Sequence, residues 1–262
     1  MAHLGLVSIS FRQLSPETII AEAKKAGLSC IEWGSDVHAP CHDTEKLKKI
    51  ACMQQKAGLF CSSYGTYFKI GVHKTEELLP YIKAAQILGA DILRLWCGDK
   101  GSAEYTQTEL EVLYRQCREA AALAEKYGVT LCMECHNHTL TDKKEAAHAL
   151  MQAVNSPNFC MYWQPNQFCT QEENTAYAML LANDIRHVHV FHWKQDRRLW
   201  LEDAQEMWKS WLKCIFDVKN NSQIKQERTK DRALLLEFMP DDRIESLQGE
   251  AQVLRKIAEE WL

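Results

Sequence analysis

The stretch Val129-Thr130-Leu131-Cys132-Met133-Glu134-Cys135-His136-Asn137-His138 reads as a buried β-strand running into an acidic, imidazole-bearing tip. Side chains alternate across a strand, so Leu131 and Met133 share one face while Thr130, Cys132 and Glu134 share the other. One face is oily and the other is small, then acidic. A strand clad by helices on one side and closing on a narrow interior on the other has this pattern, and it puts Glu134 at the rim of that interior.

Working outward, the same strand-then-helix unit recurs in both directions. Strand signals fall at Leu4 to Ser8, Ser29 to Trp33, Leu59 to Ser63, Ile92 to Cys97, Val129 to Glu134, Phe159 to Trp163, Ile185 to Phe191 and Ala233 to Phe238. Helical periodicity follows each of them: from Ser15-Pro16-Glu17 to Ala26, then Thr44 to Ala57, Lys74 to Leu88, Thr106 to Tyr127, Lys143 to Val154, Gln171 to Leu181, Glu202 to Val218 and Ile244 to Trp261. Ser-Pro-Glu is a helix-start signal, and Gly27, Gly58, Gly89 and Gly128 stand where left-handed C-caps are wanted. Strands separated by helix-length crossovers form a parallel sheet. Eight such units in 262 residues predict an α/β fold, a single (β/α)8 TIM barrel over residues 1–262. The first turn, Ser8-Ile9-Ser10-Phe11, lacks the glycine-rich phosphate fingerprint of an open doubly wound sheet. The polar run Asn220 to Asp231 reads as a solvated connection.

Lys plus Arg number 31 and Asp plus Glu 35, for a net charge of -4 and no strongly basic block, which argues against a nucleic-acid partner. The 11 cysteines are scattered through apparent strands and helices, as reduced thiols of a cytoplasmic protein would be. Cys132 and Cys135 have redox or zinc spacing but no second pair at a matching distance, so the expectation is structural. No apolar run approaches the ~18 residues of a membrane span, and the chain opens without a basic leader. A soluble protein without membrane or nucleic-acid partners is expected.

In a barrel of this kind the active site lies at the C-terminal strand ends. The first four strands end in Ser8, Glu32-Trp33, Ser62-Ser63-Tyr64 and Trp96; the second four end in Glu134, Gln164, His189 and Glu237. Alternation places the last four on the inner face, with Trp33 and Trp163 beneath helices. Two carboxylates, an imidazole and an amide oxygen have the composition of a divalent-ion site for Mn²⁺, Mg²⁺, Co²⁺ or Zn²⁺. Two carboxylates buried together without a cation are costly, so the alternative is pairing with interior arginines or histidines. Glu32 and Arg94, also inward, read as a buried ion pair or a substrate clamp.

The order of these strand ends resembles the xylose isomerase-like barrel superfamily of sugar and sugar-phosphate isomerases and epimerases. Cys-Met-Glu134-Cys-His136 is similar to the family's Glu-x-His strand, His187-Val-His189 to its His-x-His strand, and Leu-Leu-Leu-Glu237-Phe to its final Glu strand, with Trp96-Cys97-Gly98 as a further match. The resemblance runs the length of the chain. It implies that Glu134, Gln164, His189 and Glu237 hold a divalent ion binding two adjacent oxygens of an open or keto sugar. Glu134 and Glu237 then move a proton next to the carbonyl through an enediolate. One strand departs from the pattern: Tyr162-Trp163-Gln164-Pro165-Asn166-Gln167 stands where the family has Asp followed three residues later by His. It resembles a branch with a Tyr-Trp-Gln-Pro strand, and Gln164 lowers the charge of the site and so its affinity for the ion. His192 stands where relatives often have an acid.

Candidate substrate-binding residues are His136, Trp96, Gln167, His192 and Lys194, with Phe191 and Trp193 weaker. Lys194 with Arg197-Arg198 meets either a phosphate or solvent. Trp200, Trp208 and Trp211 read as core or as the contact of a homo-oligomer. The leading expectation is an enzyme, a metal-dependent isomerase or epimerase of a sugar, sugar phosphate or oxidised sugar. The alternatives are a lyase or dehydratase on a keto-sugar using the same site, and a non-catalytic sugar-binding barrel. An endonuclease IV-like repair enzyme is rejected, because strands three and four end without the His ligands its three-metal site needs.

Overall fold

The computed structural model describes residues 1–217 and 222–262. Eight parallel strands close into a barrel: β1 His3–Val7, β2 Cys30–Gly34, β3 Phe60–Ile70, β4 Ile92–Cys97, β5 Thr130–Glu134, β6 Phe159–Trp163, β7 Ile185–Val190 and β8 Ala233–Leu236. Consecutive strands pair in parallel, with register shifts between β2 and β3, β3 and β4, and β6 and β7, and β8 returns to β1 with Leu234 opposite Leu4. Helices α1 Pro16–Lys25, α2 Thr44–Lys56, α3 Leu79–Leu88, α4 Gln107–Glu125, α5 Lys144–Val154, α6 Gln171–Leu181, α7 Gln205–Phe216, α8 Gln223–Thr229 and α9 Leu247–Ala258 follow in chain order. Their ends are locally encoded. Ser15 accepts from the Thr18 backbone to start α1, Thr106 and Glu109 form a capping box on α4, and Gly89 ends α3 at φ 79.

The alternation predicted for β5 is observed. Cys132 joins a small cluster inside the barrel with Val7, Ile9, Cys30, Ile92, Cys160, Tyr162, Ala233 and Leu235, while Leu131 and Met133 join the larger core under the helices. Cys132 and Cys135 therefore belong to different layers, which rules out a working dithiol pair, and burial pushes the Cys135 thiol up to about 12. Trp33 lies under α2, donating to Gln54 at 2.8 Å, and Trp163 packs edge-on against Trp208 and Trp211 of α7. Those two indoles are core, whereas Trp200 is exposed.

Three segments differ from the sequence reading. β3 runs on to Ile70 across a register shift against β4 between Gly65 and Lys69, because Thr66, Tyr67 and Phe68 continue the extended chain. The expected solvated connection contains α8, capped by Ser222; its Arg228 is buried against Asp184 at 2.5 Å and donates to the Ser156 carbonyl. Val218 and Asn220 lie outside the described residues. Arg197–Arg198 pairs with Trp193–Lys194 as a small antiparallel hairpin rather than a loose loop.

Inside β7, His187 Nδ1 lies 3.0 Å from the Ala233 backbone N and 2.8 Å from the Arg186 carbonyl, and Nε2 faces the Ser62 carbonyl at 3.2 Å, so the imidazole bridges strands. Burial, reinforced by the Arg186 charge, pushes it down to about 4 from 6.5. The native state thus binds fewer protons than the unfolded chain between these values. Stability is complete above pH 6.5 and is lost as pH falls toward 4, by about 3 kcal/mol from this group. Urea midpoints between pH 7 and 4 check this, and the pH slope attributable to this group is absent in His187→Gln.

Candidate active site

The four inward strand-end side chains meet at one imidazole. His189 Nδ1 lies 2.9 Å from Gln164 Oε1, 3.5 Å from Glu134 Oε1 and 3.6 Å from Glu237 Oε2. The three oxygens thus gather around Nδ1 itself, at 2.9 to 3.6 Å. Among the described residues, no group of three or more His, Cys, Asp and Glu side chains is spaced to hold an ion, and the nearest oxygen to Nδ1 is the Gln164 amide. The donor chemistry suits a divalent cation, with a neutral amide in the position nearest the imidazole.

What surrounds that ring explains why it points as it does. His189 Nε2 faces Glu32 Oε2 at 3.4 Å, so a carboxylate on the far side of the ring orients it and leaves Nδ1 toward the oxygens. Glu32 is fixed by Ser63 Oγ at 2.9 Å and by Arg94 Nε at 2.8 Å. The same guanidinium reaches Glu134 Oε2 through Nη1 at 2.5 Å, and Trp96 Nε1 donates to that oxygen at 2.5 Å. Glu134 thus has one oxygen capped by two donors and the other turned to His189. Gly65 makes this packing possible: a Cβ there would stand 2.5 Å from Glu32 Oε1 and 2.8 Å from Arg94 Nη2. Of the two sequence readings for Glu32 and Arg94, the geometry is that of a buried ion pair, extended to a second carboxylate.

The charges separate the three carboxylates. Burial would raise all of them, but Arg94 and His189 outweigh it for Glu32, held well below the usual range, and for Glu134, held at about 2. Glu237 is pushed up to about 7 by burial, opposed by His189 and reinforced by Glu134. His189, against its own burial, is raised to about 10 by Glu237 and Glu32. Two cations therefore balance two carboxylates, and the third carboxylate carries the surplus charge.

Above this floor opens a cavity of about 500 Å³ lined by Arg94, Trp96, Glu134, His136, Gln164, Gln167 and Glu237. His192 and Lys194 are not brought to it. They line an adjoining hollow of about 400 Å³, with Gln167 and Trp193 on the shared edge; His192 Nδ1 faces the Trp200 carbonyl at 2.9 Å, and Lys194 is exposed on the hairpin. Chain direction changes after Val190, so strand parity no longer aims these two side chains inward. The cavity also takes in Arg12, Tyr67 and Phe168, which the sequence reading passed over. Tyr67 had a signal: the inward alternation Ser63, Gly65 continues to it once β3 is extended. Arg12 had none, since its partners Tyr67 and Asp36 are remote in sequence.

A family profile described as xylose isomerase-like TIM barrel matches residues 20–224, and the chain belongs to that family. Its fold is that of the probable 3-DHS dehydratase AsbF involved in petrobactin synthesis from Bacillus anthracis, 18% identical with a TM-score of 0.70 over 97% of this chain and 98% of that one. The IOLI protein with a binding zinc atom is similar over 99% of both chains, at 14% identity and TM-score 0.76. D-psicose 3-epimerase with D-tagatose from Clostridium cellulolyticum H10 is 12% identical, with a TM-score of 0.69 over 98% of both chains. No curated protein sequence matches the chain. Among the described residues no helix is long and apolar enough to cross a membrane.

Proposed function

We propose that the chain is a metal-dependent isomerase or epimerase acting on a sugar, sugar phosphate or oxidised sugar. The observation that carries the reading is the pair of carboxylates, Glu134 Oε1 and Glu237 Oε2, set at 3.5 and 3.6 Å from one imidazole nitrogen on the floor of a closed barrel's cavity. Family membership supports it, as do a zinc atom in one similar structure and an epimerase and a dehydratase among the others.

Glu134, Gln164, His189 and Glu237 would hold the ion. When bound, a divalent ion supplies positive charge that polarises a substrate carbonyl and makes the adjacent C–H acidic. Glu134, kept ionised by Arg94 and His189, takes the proton from that carbon through Oε1, the oxygen not capped by Arg94 and Trp96. Glu237 returns a proton from the other side of His189, giving an isomer or an epimer according to the carbon and face it reaches. The lyase alternative, expulsion of a leaving group, begins with the same abstraction.

The test is proton exchange in D₂O over a panel of ketoses and oxidised sugars, with protein loaded in turn with Mn²⁺, Co²⁺, Zn²⁺ and Mg²⁺ and with chelated protein. Solvent deuterium should enter the carbon beside the carbonyl with at least one metal and disappear on chelation. Glu134→Gln should lower the rate about 10²- to 10⁴-fold. Deuterium uptake accompanied by loss of a substituent identifies the lyase. Absence of uptake from every sugar with every metal sinks the enzyme reading and leaves a binding barrel.

A further inference from the structure

Two aromatic walls face each other across the cavity. Tyr67, Trp96 and His136, from the ends of β3, β4 and β5, form one: Tyr67 meets Trp96 edge-on at 5.5 Å, and Trp96 meets His136 at 4.8 Å. Phe191, Trp193 and Phe238, following β7 and β8, form the other, with Trp193 5.7 Å from each neighbour. In the barrel order these groups occupy opposite arcs of the mouth. The second wall is built rather than incidental. Arg198 lies over both Trp193 (5.1 Å) and Phe238 (4.7 Å) and pairs with Asp242. Phe238 itself is held at φ 55, unfavourable for a bulky residue, with its N–H donating to Ser10 Oγ at 2.9 Å.

Several polar groups between the walls are spent on one another. Asn166 donates to Asn137 at 2.7 Å, its backbone N–H donates to Asn174 at 2.8 Å, and Tyr177 donates to the Thr141 carbonyl at 2.7 Å. Tyr67 accepts from Arg12, and Trp96 donates to Glu134. A bare sugar presents hydroxyls on every side, and each one buried without a partner is unfavourable. Here the carboxylate floor, with Gln167, Lys143 and Lys144 on one side of the lining, offers partners for hydroxyls, while the two aromatic walls of a cavity sized for a drug-like ligand are flat and apolar.

We infer that the substrate is a sugar derivative bearing a flat apolar substituent, in class the aryl glycoside of a keto sugar, with the carbonyl-bearing sugar on the floor and the ring between the walls. This rests on the proposed use of the floor as the sugar site. Phe168, 62% exposed at the rim, would cover the outer edge of such a group.

Matched methyl and 4-nitrophenyl β-glycosides of glucose, galactose and xylose, titrated calorimetrically into the full chain, test the assignment. In at least one pair the nitrophenyl member should bind tenfold tighter or better, about 1.4 kcal/mol. In Tyr67→Leu and Trp193→Leu that ratio should fall to within about twofold; Phe168→Ala, a rim change that leaves the core intact, should reduce it partially. Ratios near one in all three pairs, binding of neither member, or a ratio unchanged in all three variants overturns the inference. Failure of the floor reading is separable: a ratio above ten without deuterium exchange on any sugar leaves the aromatic clamp standing and removes the isomerase, and exchange with a ratio of one does the reverse.

Discussion

Arg94→Met is expected to lower the stability of the protein by about 3–5 kcal/mol, the range for breaking a buried ion pair by deleting one partner. The guanidinium is 3% exposed and bridges Glu32 at 2.8 Å and Glu134 at 2.5 Å, both carboxylates buried. Methionine fills much of the volume, so the loss is electrostatic: three carboxylates are left with the His189 cation alone. Lysine does not restore the wild type, because a single ammonium cannot present Nε and Nη1 to two separate carboxylates in the planar fork that Arg94 uses. For a chain of this size the melting temperature should fall by about 10 °C. The mechanism has its own check in a double variant. Adding Glu32→Gln to Arg94→Met removes one of the orphaned charges and should recover part of the loss, whereas a packing defect would be deepened by a second change. A melting temperature for Arg94→Met within about 2 °C of wild type would show that the ion pair network is not what holds the strand ends together.

That network marks the border between what the sequence discloses and what it does not. Glu134, His189 and Glu237 were legible because strand parity is a local rule: a residue two places along from a buried interior neighbour faces the same way, and Cys132, His187 and Leu235 supply those neighbours. The barrel was legible for a similar reason, since each helix carries its own start and stop signals. The sharing of Arg94 between Glu32 and Glu134 involves β2, β4 and β5 at once, and no window of sequence shows which of two carboxylates an arginine will meet. Loops were less readable still. Once the chain leaves β7 it folds into a hairpin whose turn at Gln195 adopts φ 54, and this hairpin carries Lys194 away from the cavity while bringing Trp193 onto its wall. His192 turns with it. Gln164 occupies the position parity predicts and lies nearest to Nδ1, so this departure from the family pattern sits at the centre of the site rather than at its edge.

Glu237→Gln is expected to act in opposite directions on stability and on catalysis. Two cations, Arg94 and His189, already balance Glu32 and Glu134, and Glu237 is the carboxylate left over; burial pushes it up to about 7 from 4.5, with His189 opposing and Glu134 adding to the rise. Between those values the metal-free native state binds more protons than the unfolded chain, so stability falls as pH rises through this window and levels off above 7. Glutamine has nothing to ionise. In the presence of chelator the variant should therefore match wild type near pH 4.5 and exceed it by about 1–3 kcal/mol at pH 8, read as a higher urea midpoint. Deuterium exchange in the metal-loaded protein should at the same time drop about 10²- to 10⁴-fold, the share of a rate that a positioned acid or base supplies. A divalent ion should raise the melting temperature of wild type more than that of the variant, because ion binding supplies the missing positive charge only where the third carboxylate needs it. If Glu237→Gln is less stable than wild type at pH 8 without metal, Glu237 is a structural acid. A gain in stability joined to a loss of exchange is the pattern of a charge kept in place for chemistry at a cost to the fold.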